Sequence, residues 1–428
     1  MASFMVKKSS LTGEVWVPPS KSHTLRAVLF ASLAKGKSFI HNHLHSPDAE
    51  AMINACRLFG ADIQVDSNKI SVSGLNGKID HAEDVINAGN SGIVLRFCTA
   101  VGALSEHPIV VTGDHSVRHL RLVEPLLEGL KQLGVKVNTM RGDGYAPVIV
   151  QGPLRGGKAV VMGQDSQPIS GLLIASAFSE SPTEIIVKNA GEKPWVALTL
   201  NWFERLGIVC ENHAFERYVI SGGQIIEGFD YSIPGDLSSA SFPIAAALVT
   251  DCELTIKNVD LSEPQGDKEL IYTFQRMGAN IEIDHANKAV IVKRGSQLKG
   301  IEVDINAFVD AITILAVVAC YAEGKTLIKN AAVAKQKECN RIAATASELR
   351  KMGAIVEELE DGLMVEKSSL IGTKVYSHAD HRMAMSLSVA ALGAKGETQI
   401  SDVECISKTF PTFLNCFQSI GADMQLLA

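Results

Sequence analysis

One pattern recurs about every 70 residues along this 428-residue chain: an amphipathic helix, a glycine and then a strand. One face of the last predicted helix carries Phe413, Cys416 and Ile420 at helical spacing. Gly421 follows, and glycine can adopt the left-handed conformation that ends a helix. Six copies of one unit argue for internal duplication and restrict the fold to six similar pieces. The copies close at Gly60, Gly134, Gly207, Gly278, Gly353 and Gly421.

A second pattern alternates with the first. It has a polar helix start, a helix rich in Ala, Leu and Ile, a short turn and a β-branched strand. Together the two patterns predict six β-α-β-α-β-β-like units, so we expect an α/β protein. The polar starts are Ser20-Lys21-Ser22, Asn90-Ser91-Gly92, Ser166-Gln167, Asp236 to Ser239, Asp310-Ala311 and Asp380-His381-Arg382.

The chain is longer than the roughly 250–300 residues at which a single core stops growing, so we expect two domains of three units each. Proline-bearing junctions stand at Val17-Pro18-Pro19 and Ile233-Pro234-Gly235. They predict an inserted domain of residues 20–232 and a discontinuous domain of residues 1–19 and 233–428. If the small-residue helices run in parallel, their polar starts emerge at one end of each domain. We therefore expect the active site in the cleft between the two domains.

Composition excludes several classes of partner. A net charge of −7 with 6% aromatic residues gives no general basic surface for nucleic acid. The longest apolar run, from Ala311 to Ala322, is shorter than the about 20 residues that span a bilayer, and no secretory signal is visible. The eight cysteines form no Cys-x-x-Cys motif. We expect a cytoplasmic monomer with reduced thiols and with no nucleic-acid or membrane partner.

The first predicted helix begins with two cations, Lys21 and Arg26. A helix start offers free N–H groups and the positive end of the helix dipole, which suit a phosphate or a carboxylate. Arg96 and Arg382 lie at or just after other starts. Capping alone explains Ser, Asp and Asn at these positions, but it does not need four cations. The sequence therefore predicts anion-binding sites.

Five motifs in this order resemble the EPSP synthase (3-phosphoshikimate 1-carboxyvinyltransferase) family. They are Pro19-Ser20-Lys21-Ser22 with Arg26, Gly89-Asn90-Ser91-Gly92 with Arg96, Lys337-Glu338 with Arg341, Asp380 to Met385, and Ser407 to Pro411. The resemblance implies an inside-out α/β barrel of two domains with three units each. It also implies transfer of the enolpyruvyl group of phosphoenolpyruvate to the 5-hydroxyl of shikimate 3-phosphate, in the pathway to chorismate and the aromatic amino acids. The implied reaction uses no metal and no cofactor.

The resemblance also assigns roles to residues of this sequence. Asp310 would be the base for the 5-hydroxyl, and Glu338, with Lys21 assisting, the acid/base near the methylene carbon. Phosphoenolpyruvate would contact Lys21, Asn90, Gly92, Arg121, Gln167, Arg341, Arg382 and Lys408. Shikimate 3-phosphate would contact Lys21, Ser22, Arg26, Ser166, Gln167, Asp310 and Lys337. Arg96 and His381 would support these sites, and Gly92 would leave room for the herbicide glyphosate.

Each assignment has a structural alternative. Taken alone, Asp310 is typical of a helix cap, and Glu338 of a surface charge paired with Lys337 or Arg341. A separate possibility is a zinc site, because His41, His43 and His45 alternate as in a strand and Asp48 is nearby. A polar strand end is the more frequent explanation of such a pattern, so we predict no metal site.

Two positions and one loop depart from the family pattern. Asp165 stands where a neutral residue is common, and Glu192 where a phosphate-binding serine is usual. A carboxylate beside a dianion costs about 1 kcal/mol at 4 Å in water and more in a drier site. We expect these carboxylates to turn away, to be offset by Lys337 and Arg26, or to weaken binding. The loop Gly113 to Arg121 is one residue longer than is usual in the family, so either Arg118 or Arg121 could be the arginine that contacts phosphoenolpyruvate. Counting back from Gly134 favours Arg121.

Two other functions compete with this interpretation. The sister enolpyruvyl transferase that acts on UDP-N-acetylglucosamine carries a lysine-asparagine pair and a loop cysteine, whereas here Ser22 follows Lys21 and the loop Gly113 to Arg121 has no cysteine. A catalytically dead repeat scaffold is the second. The full set of motif residues argues against it, while Asp165 and Glu192 keep it open.

Overall fold

The computed structural model describes residues 2–427. The chain divides into two compact units. One is Pro19–Ile233, and the other combines the chain up to Pro18 with the chain from Pro234 onward. Each unit has a hydrophobic core of its own.

The described chain begins with strands β1 (Ser3–Lys7) and β2 (Gly13–Trp16). The helices of the Pro19–Ile233 unit are α1 (Lys21–Leu33), α2 (Pro47–Leu58), α3 (Gly92–Gly102), α4 (His115–His119), α5 (Glu124–Gln132), α6 (Ser166–Ala177) and α7 (Lys193–Leu206). Its strands are β3 (Lys37–His41), β4 (Asp62–Val65), β5 (Lys69–Ser73), β6 (Ile86–Asn87), β7 (Ile109–Thr112), β8 (Lys136–Thr139), β9 (Val148–Gln151), β10 (Gly157–Met162), β11 (Thr183–Lys188), β12 (Cys210–His213), β13 (Arg217–Ile220) and β14 (Asp230–Ser232).

From Pro234 onward the helices are α8 (Leu237–Thr250), α9 (Lys268–Arg276), α10 (Ile312–Ala319), α11 (Arg341–Lys351), α12 (His381–Gly393) and α13 (Phe413–Ser419). The strands are β15 (Leu254–Lys257), β16 (Ile281–Asp284), β17 (Ala289–Val292), β18 (Glu302–Asp304), β19 (Lys325–Lys329), β20 (Ile355–Leu359), β21 (Gly362–Glu366), β22 (Lys374–Tyr376), β23 (Glu397–Ser401) and β24 (Met424–Leu427). Short 3-10 helices span Asn306–Ala311, Ala332–Gln336 and Glu404–Lys408.

The strands of residues 2–427 form six sheets of four strands with one common topology. In the order β14-β3-β5-β4, for example, the first pair is parallel and the next two pairs are antiparallel. The N-terminal strand β2 joins the later part of the chain, because it pairs in parallel with β15. The prediction of an α/β fold built from six similar units is confirmed.

Each of the six repeated pieces contains two kinds of helix, as the sequence pattern predicts. The small-residue helices are buried on almost every side, which suits helices that are apolar all round. Gly171 allows α6 to approach α3 closely, since an added Cβ would lie 3.2 Å from the Cβ of Ala100. Apart from the short α4, the other helices are amphipathic, and each of these six ends at or just before one of the six predicted glycines. Those glycines all have positive φ, between 70° and 103°, as expected for a left-handed helix end.

Two further sequence expectations meet the structure here. The alternation of the three histidines as one strand is wrong, because β3 ends at His41 and Asn42 has a left-handed φ of 53°. All eight cysteines are free thiols. Within residues 2–427, no helix combines the length and the apolar character that crossing a membrane requires.

Candidate functional site

Five of the six small-residue helices start with a polar side chain that caps the helix. Ser20 accepts a hydrogen bond from the His23 backbone N–H, and Asp380 accepts from those of Arg382 and Met383. Helix α10 differs, because a 3-10 helix precedes it and its cap residue provides no side-chain hydrogen bond. Asp310 lies in that 3-10 helix, so the capping alternative for Asp310 is wrong.

The carboxylate of Asp310 belongs to a set of charged side chains that we name the C-terminal charge cluster. Its centre is the guanidinium of Arg341, whose side chain is 1% exposed. Arg341 donates at 2.7 Å to Asp310 Oδ1, to Glu338 Oε2 and to Asp380 Oδ2, and at 3.2 Å to Asp380 Oδ1. The members of the cluster are Asp310, Lys337, Glu338, Arg341, Asp380, Arg382 and Lys408.

Three further cations surround the carboxylates of this cluster. Arg382 Nη2 lies 3.2 Å from Asp310 Oδ2, and Lys337 Nζ lies 3.7 Å from Asp310 Oδ1. Lys408 Nζ donates to Glu338 Oε1 at 2.7 Å. Glu338 is buried, so the interpretation of Glu338 as a surface charge is wrong, although its pairing with Arg341 is real.

The cations decide the protonation of Asp310. Burial alone would raise the pKa of this carboxyl group, but the charges of Arg382, Lys337 and Arg341 outweigh burial and hold the pKa well below its usual range. The side chain of Asp310 is 22% exposed, whereas those of Arg382 and Lys337 are each 9% exposed. Asp310 is therefore an ionised carboxylate at the accessible side of a mostly buried cluster.

The same charges act on Arg341 in the opposite sense. Burial would lower the pKa of Arg341, but the negative charges of Asp380, Glu338 and Asp310 raise the pKa well above its usual value. In the cluster four cations face three carboxylates, so most of the positive charge is already balanced within the protein. An anionic ligand must therefore compete with the carboxylates for their cations.

A metal ion has one geometrically possible position in residues 2–427. Ligand atoms of Glu338, Asp380 and His381 lie within 4.8 Å of one another. However, Glu338 is already paired with Arg341 and Lys408, and Asp380 with Arg341. Side-chain cations therefore hold these carboxylates, and the prediction of no metal site stays a prediction. His381 begins α12 directly before Arg382 and is buried.

A second group of predicted residues meets in the Pro19–Ile233 unit, and we name it the Arg96 cluster. Arg96 Nη1 donates to Gln167 Oε1 at 2.8 Å, and its Nη2 donates to the carbonyl oxygen of Leu122 at 2.8 Å. A Cβ on Gly92 would lie 2.9 Å from Arg96 Nη1 and 3.6 Å from Arg121 Nη1. Gly92 therefore leaves space between several polar groups. The cluster consists of Gly92, Arg96, Arg121, Asp165 and Gln167.

This arrangement also bears on the two candidate arginines in the loop after β7. Arg121 is buried and lies beside Gly92, whereas Arg118 is exposed. The loop contains the short helix α4, which the sequence did not predict. The geometry supports Arg121 as the residue nearer the predicted site.

Arg26 is held inside the same unit. Its Nε donates to Thr199 Oγ1 at 3.0 Å, and its Nη1 and Nη2 donate to the carbonyl oxygens of Ser22 and Trp195 at 3.2 and 3.3 Å. The guanidinium also lies 5.2 Å from the ring centre of Phe97. Burial lowers the pKa of Arg26 to about 9, so this side chain remains a cation at neutral pH.

The two unexpected carboxylates make different contacts. Asp165 Oδ2 lies 3.1 Å from Arg96 Nη2, and Asp165 Oδ1 caps α6 at the N–H of Gln167. Glu192 Oε2 accepts hydrogen bonds from the N–H and the hydroxyl of Ser166, both at 3.0 Å. The three outcomes expected for these carboxylates beside a bound phosphate stay predictions.

Lys21 and Asn90 contact partners that carried no assigned role in the reaction. Lys21 Nζ lies 3.4 Å from Asp48 Oδ2, and the side-chain amide of Asn90 donates to Asp114 and to Ser116 at 2.8 Å. Asp48, Asp114 and Asp380 hold candidate residues in position. Asp114 and Asp380 were missed as supports because each contacts its partner across at least 24 residues of sequence, whereas the resemblance had marked Asp48 as a structural aspartate. Asp380 opens one of the five motifs and Asp114 lies in the loop Gly113 to Arg121, so their positions in the sequence were the signal that was available.

Comparisons with known proteins agree over the whole chain. The profile of the family described as EPSP synthase (3-phosphoshikimate 1-carboxyvinyltransferase) matches residues 5–417. A 3-phosphoshikimate 1-carboxyvinyltransferase of Acetivibrio thermocellus is 42% identical, with 98% of each chain covered. One from Chlamydia caviae is 40% identical, covering 99% of this chain and 95% of the relative. An EPSP synthase structure from Acinetobacter baumannii matches with a TM-score of 0.84 at 25% identity, with 100% of each chain covered. This chain belongs to the EPSP synthase (3-phosphoshikimate 1-carboxyvinyltransferase) family.

Proposed function

We propose that this chain transfers the enolpyruvyl group of phosphoenolpyruvate to the 5-hydroxyl of shikimate 3-phosphate and releases phosphate. Family membership supports this reaction and both substrates. The observation that carries the proposal at the level of residues is the C-terminal charge cluster, in which four cations surround Asp310 and Glu338. Both substrates are phosphorylated carboxylates, which is the chemistry that such cations bind.

The reaction needs a base and an acid. We assign Asp310 to remove the proton of the 5-hydroxyl while its oxygen attacks the substituted carbon of phosphoenolpyruvate. Lys21, whose ammonium group carries a proton, would assist Glu338 in protonating the methylene carbon, giving a tetrahedral intermediate. Loss of one proton from the resulting methyl group and departure of phosphate then restore the double bond. Preorganised cations stabilise the charge on the departing phosphate.

The ion pairs of Asp310 suggest how base strength is controlled. A carboxylate whose pKa is held far below its usual range is a weak base. When a substrate carboxylate or phosphate takes over Arg382 or Lys337, Asp310 loses part of the charge that lowers its pKa. We infer that anion binding turns Asp310 into a stronger base only when substrate is present.

The remaining assignments concern substrate binding. We propose that phosphoenolpyruvate contacts Lys21, Asn90, Gly92, Arg121, Gln167, Arg341, Arg382 and Lys408. We propose that shikimate 3-phosphate contacts Lys21, Ser22, Arg26, Ser166, Gln167, Asp310 and Lys337. The monomeric state and the cytoplasmic location stay predictions, and light scattering of the purified protein tests the first of them.

The decisive experiment measures inorganic phosphate released by purified protein. We expect release only when phosphoenolpyruvate and shikimate 3-phosphate are both present. Each substrate alone, and phosphoenolpyruvate with UDP-N-acetylglucosamine, serve as controls. Release with the nucleotide sugar instead of shikimate 3-phosphate would reject the proposal, and no release with any acceptor would favour a repeat scaffold without activity.

A further inference from the structure

One buried carboxyl group beside the C-terminal charge cluster has no part in the mechanism above. Asp267 is 2% exposed, and neither of its carboxyl oxygens makes a hydrogen bond of normal geometry. It stands at the N-cap position of α9, yet its side chain does not cap that helix. The usual structural role of aspartate at a helix start is therefore absent.

The segment that carries Asp267 is fixed from both sides. The Gln265 side chain accepts from the N–H of Leu237 at 3.0 Å and donates to the carbonyl oxygen of Gly235 at 2.9 Å. The Lys268 ammonium donates to two carbonyl oxygens of the preceding turn, at 3.1 and 3.3 Å. These contacts fix the chain on both sides of Asp267 and tie it to the start of α8, and the carboxyl group of Asp267 is buried there.

Charged groups on three neighbouring elements act on Asp267. Burial raises the pKa of this carboxyl group to about 7, and the negative charges of Asp310 and Asp236 also raise it. The positive charge of Arg382 and the hydroxyl of Ser238 act in the opposite direction. The pKa of Asp267 therefore lies near neutral pH, and one of the charges that act on it is that of Arg382, the arginine paired with Asp310.

We propose that Asp267 is a positioning residue that modulates how strongly Arg382 binds a substrate carboxylate or phosphate. The inference rests on the proposed function, because it takes Arg382 as a ligand of phosphoenolpyruvate. When Asp267 is protonated, the substrate anion competes with the carboxylate of Asp310 for Arg382 but not with that of Asp267. When Asp267 is ionised, a second negative charge besides Asp310 competes for Arg382, and the anion binds more weakly.

The test is the KM for phosphoenolpyruvate between pH 6 and pH 8.5 in the unmodified protein, Asp267→Asn and Glu269→Gln. Glu269 is exposed on the first turn of α9, so this variant loses the same charge without touching the cluster. We expect KM to rise several-fold with pH in the unmodified protein and in Glu269→Gln, and to rise clearly less in Asp267→Asn. Parallel profiles in all three proteins would overturn the inference. Absence of turnover in the unmodified protein would count against the proposed function instead.

A measurement that needs no turnover distinguishes failure of this inference from failure of the proposed function. A carboxyl group with a raised pKa in the folded state makes the protein less stable as pH rises from about 4 to about 7. We therefore expect the Tm of Asp267→Asn, relative to that of the unmodified protein, to increase as pH rises over this range. An unchanged difference would overturn the inference. Should Asp267→Asn fold poorly, Ser238→Ala tests the same point, because loss of the hydroxyl should move the rise in KM to higher pH and an unmoved rise would contradict us.

Discussion

The carboxylate of Glu192 accepts two hydrogen bonds of 3.0 Å from Ser166, one from the backbone N–H and one from the hydroxyl. Glu192 is buried and has a φ of 44°, a left-handed conformation that costs a non-glycine residue about 1 kcal/mol. The fold therefore holds an internal carboxylate at the start of α6. This is the helix start to which we assign a contact with shikimate 3-phosphate.

Replacing Glu192 by Gln should strengthen binding of shikimate 3-phosphate. The change removes a negative charge whose repulsion of a phosphate at 4 Å is about 1 kcal/mol in water and several times more in a drier site. We expect the KM for shikimate 3-phosphate to fall about fivefold or more, with a smaller change in kcat. Glu204→Gln, an exposed change on the same helix α7, is the control. A higher KM in Glu192→Gln would mean that the carboxylate keeps the site in shape.

Local features were predictable from the sequence because local chemistry decides them. The six glycines take positive φ, and Ser20 and Asp380 cap their helices, since each effect involves neighbours within a turn. The repeat pattern likewise fixed the number of units, because every unit must bury the same two helical faces. The capping of α10 by Asp310 was predicted wrongly. The sequence around Asp310 resembles the other polar helix starts, but a 3-10 helix precedes α10 and Asp310 does not cap it.

Long-range contacts were not predictable in the same way. Arg341 joins Asp380 across 39 residues and Asp310 across 31 residues, and no local periodicity encodes such pairs. The resemblance implied that Arg341 and Asp310 both contact substrates, but it did not predict that they form an ion pair with each other. The prediction that His41, His43 and His45 share one strand was wrong for a local reason, because the left-handed conformation of Asn42 ends the strand after His41.

A methyl group at position 92 should disturb the Arg96 cluster. In Gly92→Ala the added Cβ would lie 2.9 Å from Arg96 Nη1 and 3.2 Å from Gln167 Oε1, so these side chains must shift. We expect the KM for phosphoenolpyruvate to rise severalfold and inhibition by glyphosate to weaken. Steady-state kinetics with and without glyphosate checks both effects, and a thermal melt confirms folding. Unchanged inhibition would place glyphosate away from Gly92.

Asp310→Asn tests the assignment of the base. An amide cannot accept the proton of the 5-hydroxyl, so kcat should fall about 100-fold to 10,000-fold, the usual contribution of general base catalysis. The KM for shikimate 3-phosphate should change far less. Asp304→Asn makes the same chemical change at an exposed residue of β18 and should keep its turnover. Unchanged turnover in Asp310→Asn would remove this residue from the mechanism.

Arg341→Met should destabilise the protein as well as stop catalysis. Removal of the guanidinium leaves Asp310, Glu338 and Asp380 without the cation that binds all three. Arg382, Lys337 and Lys408 still face Asp310 and Glu338, but the fully buried Asp380 loses the guanidinium that binds both of its oxygens. Removal of one partner from a buried ion pair typically costs about 3–5 kcal/mol in the free energy of unfolding. Chemical denaturation measures the loss, with Arg350→Met on the exposed face of α11 as the control. Equal stability of the two variants would show that Arg341 serves substrate binding alone.

Acid should destabilise the Pro19–Ile233 unit partly through His43. Burial and, second, the charge of His45 lower the pKa of His43 to about 4, while the unfolded chain keeps a value near 6.5. Between these two pH values the unfolded state binds the proton and the folded state does not, so stability falls as pH drops, by up to about 3 kcal/mol. His43→Leu should lose less stability from pH 7 to pH 4 than the unmodified protein in urea titrations. His107→Leu, at an exposed histidine, should not. Equal acid sensitivity of His43→Leu and the unmodified protein would show that another group governs this loss.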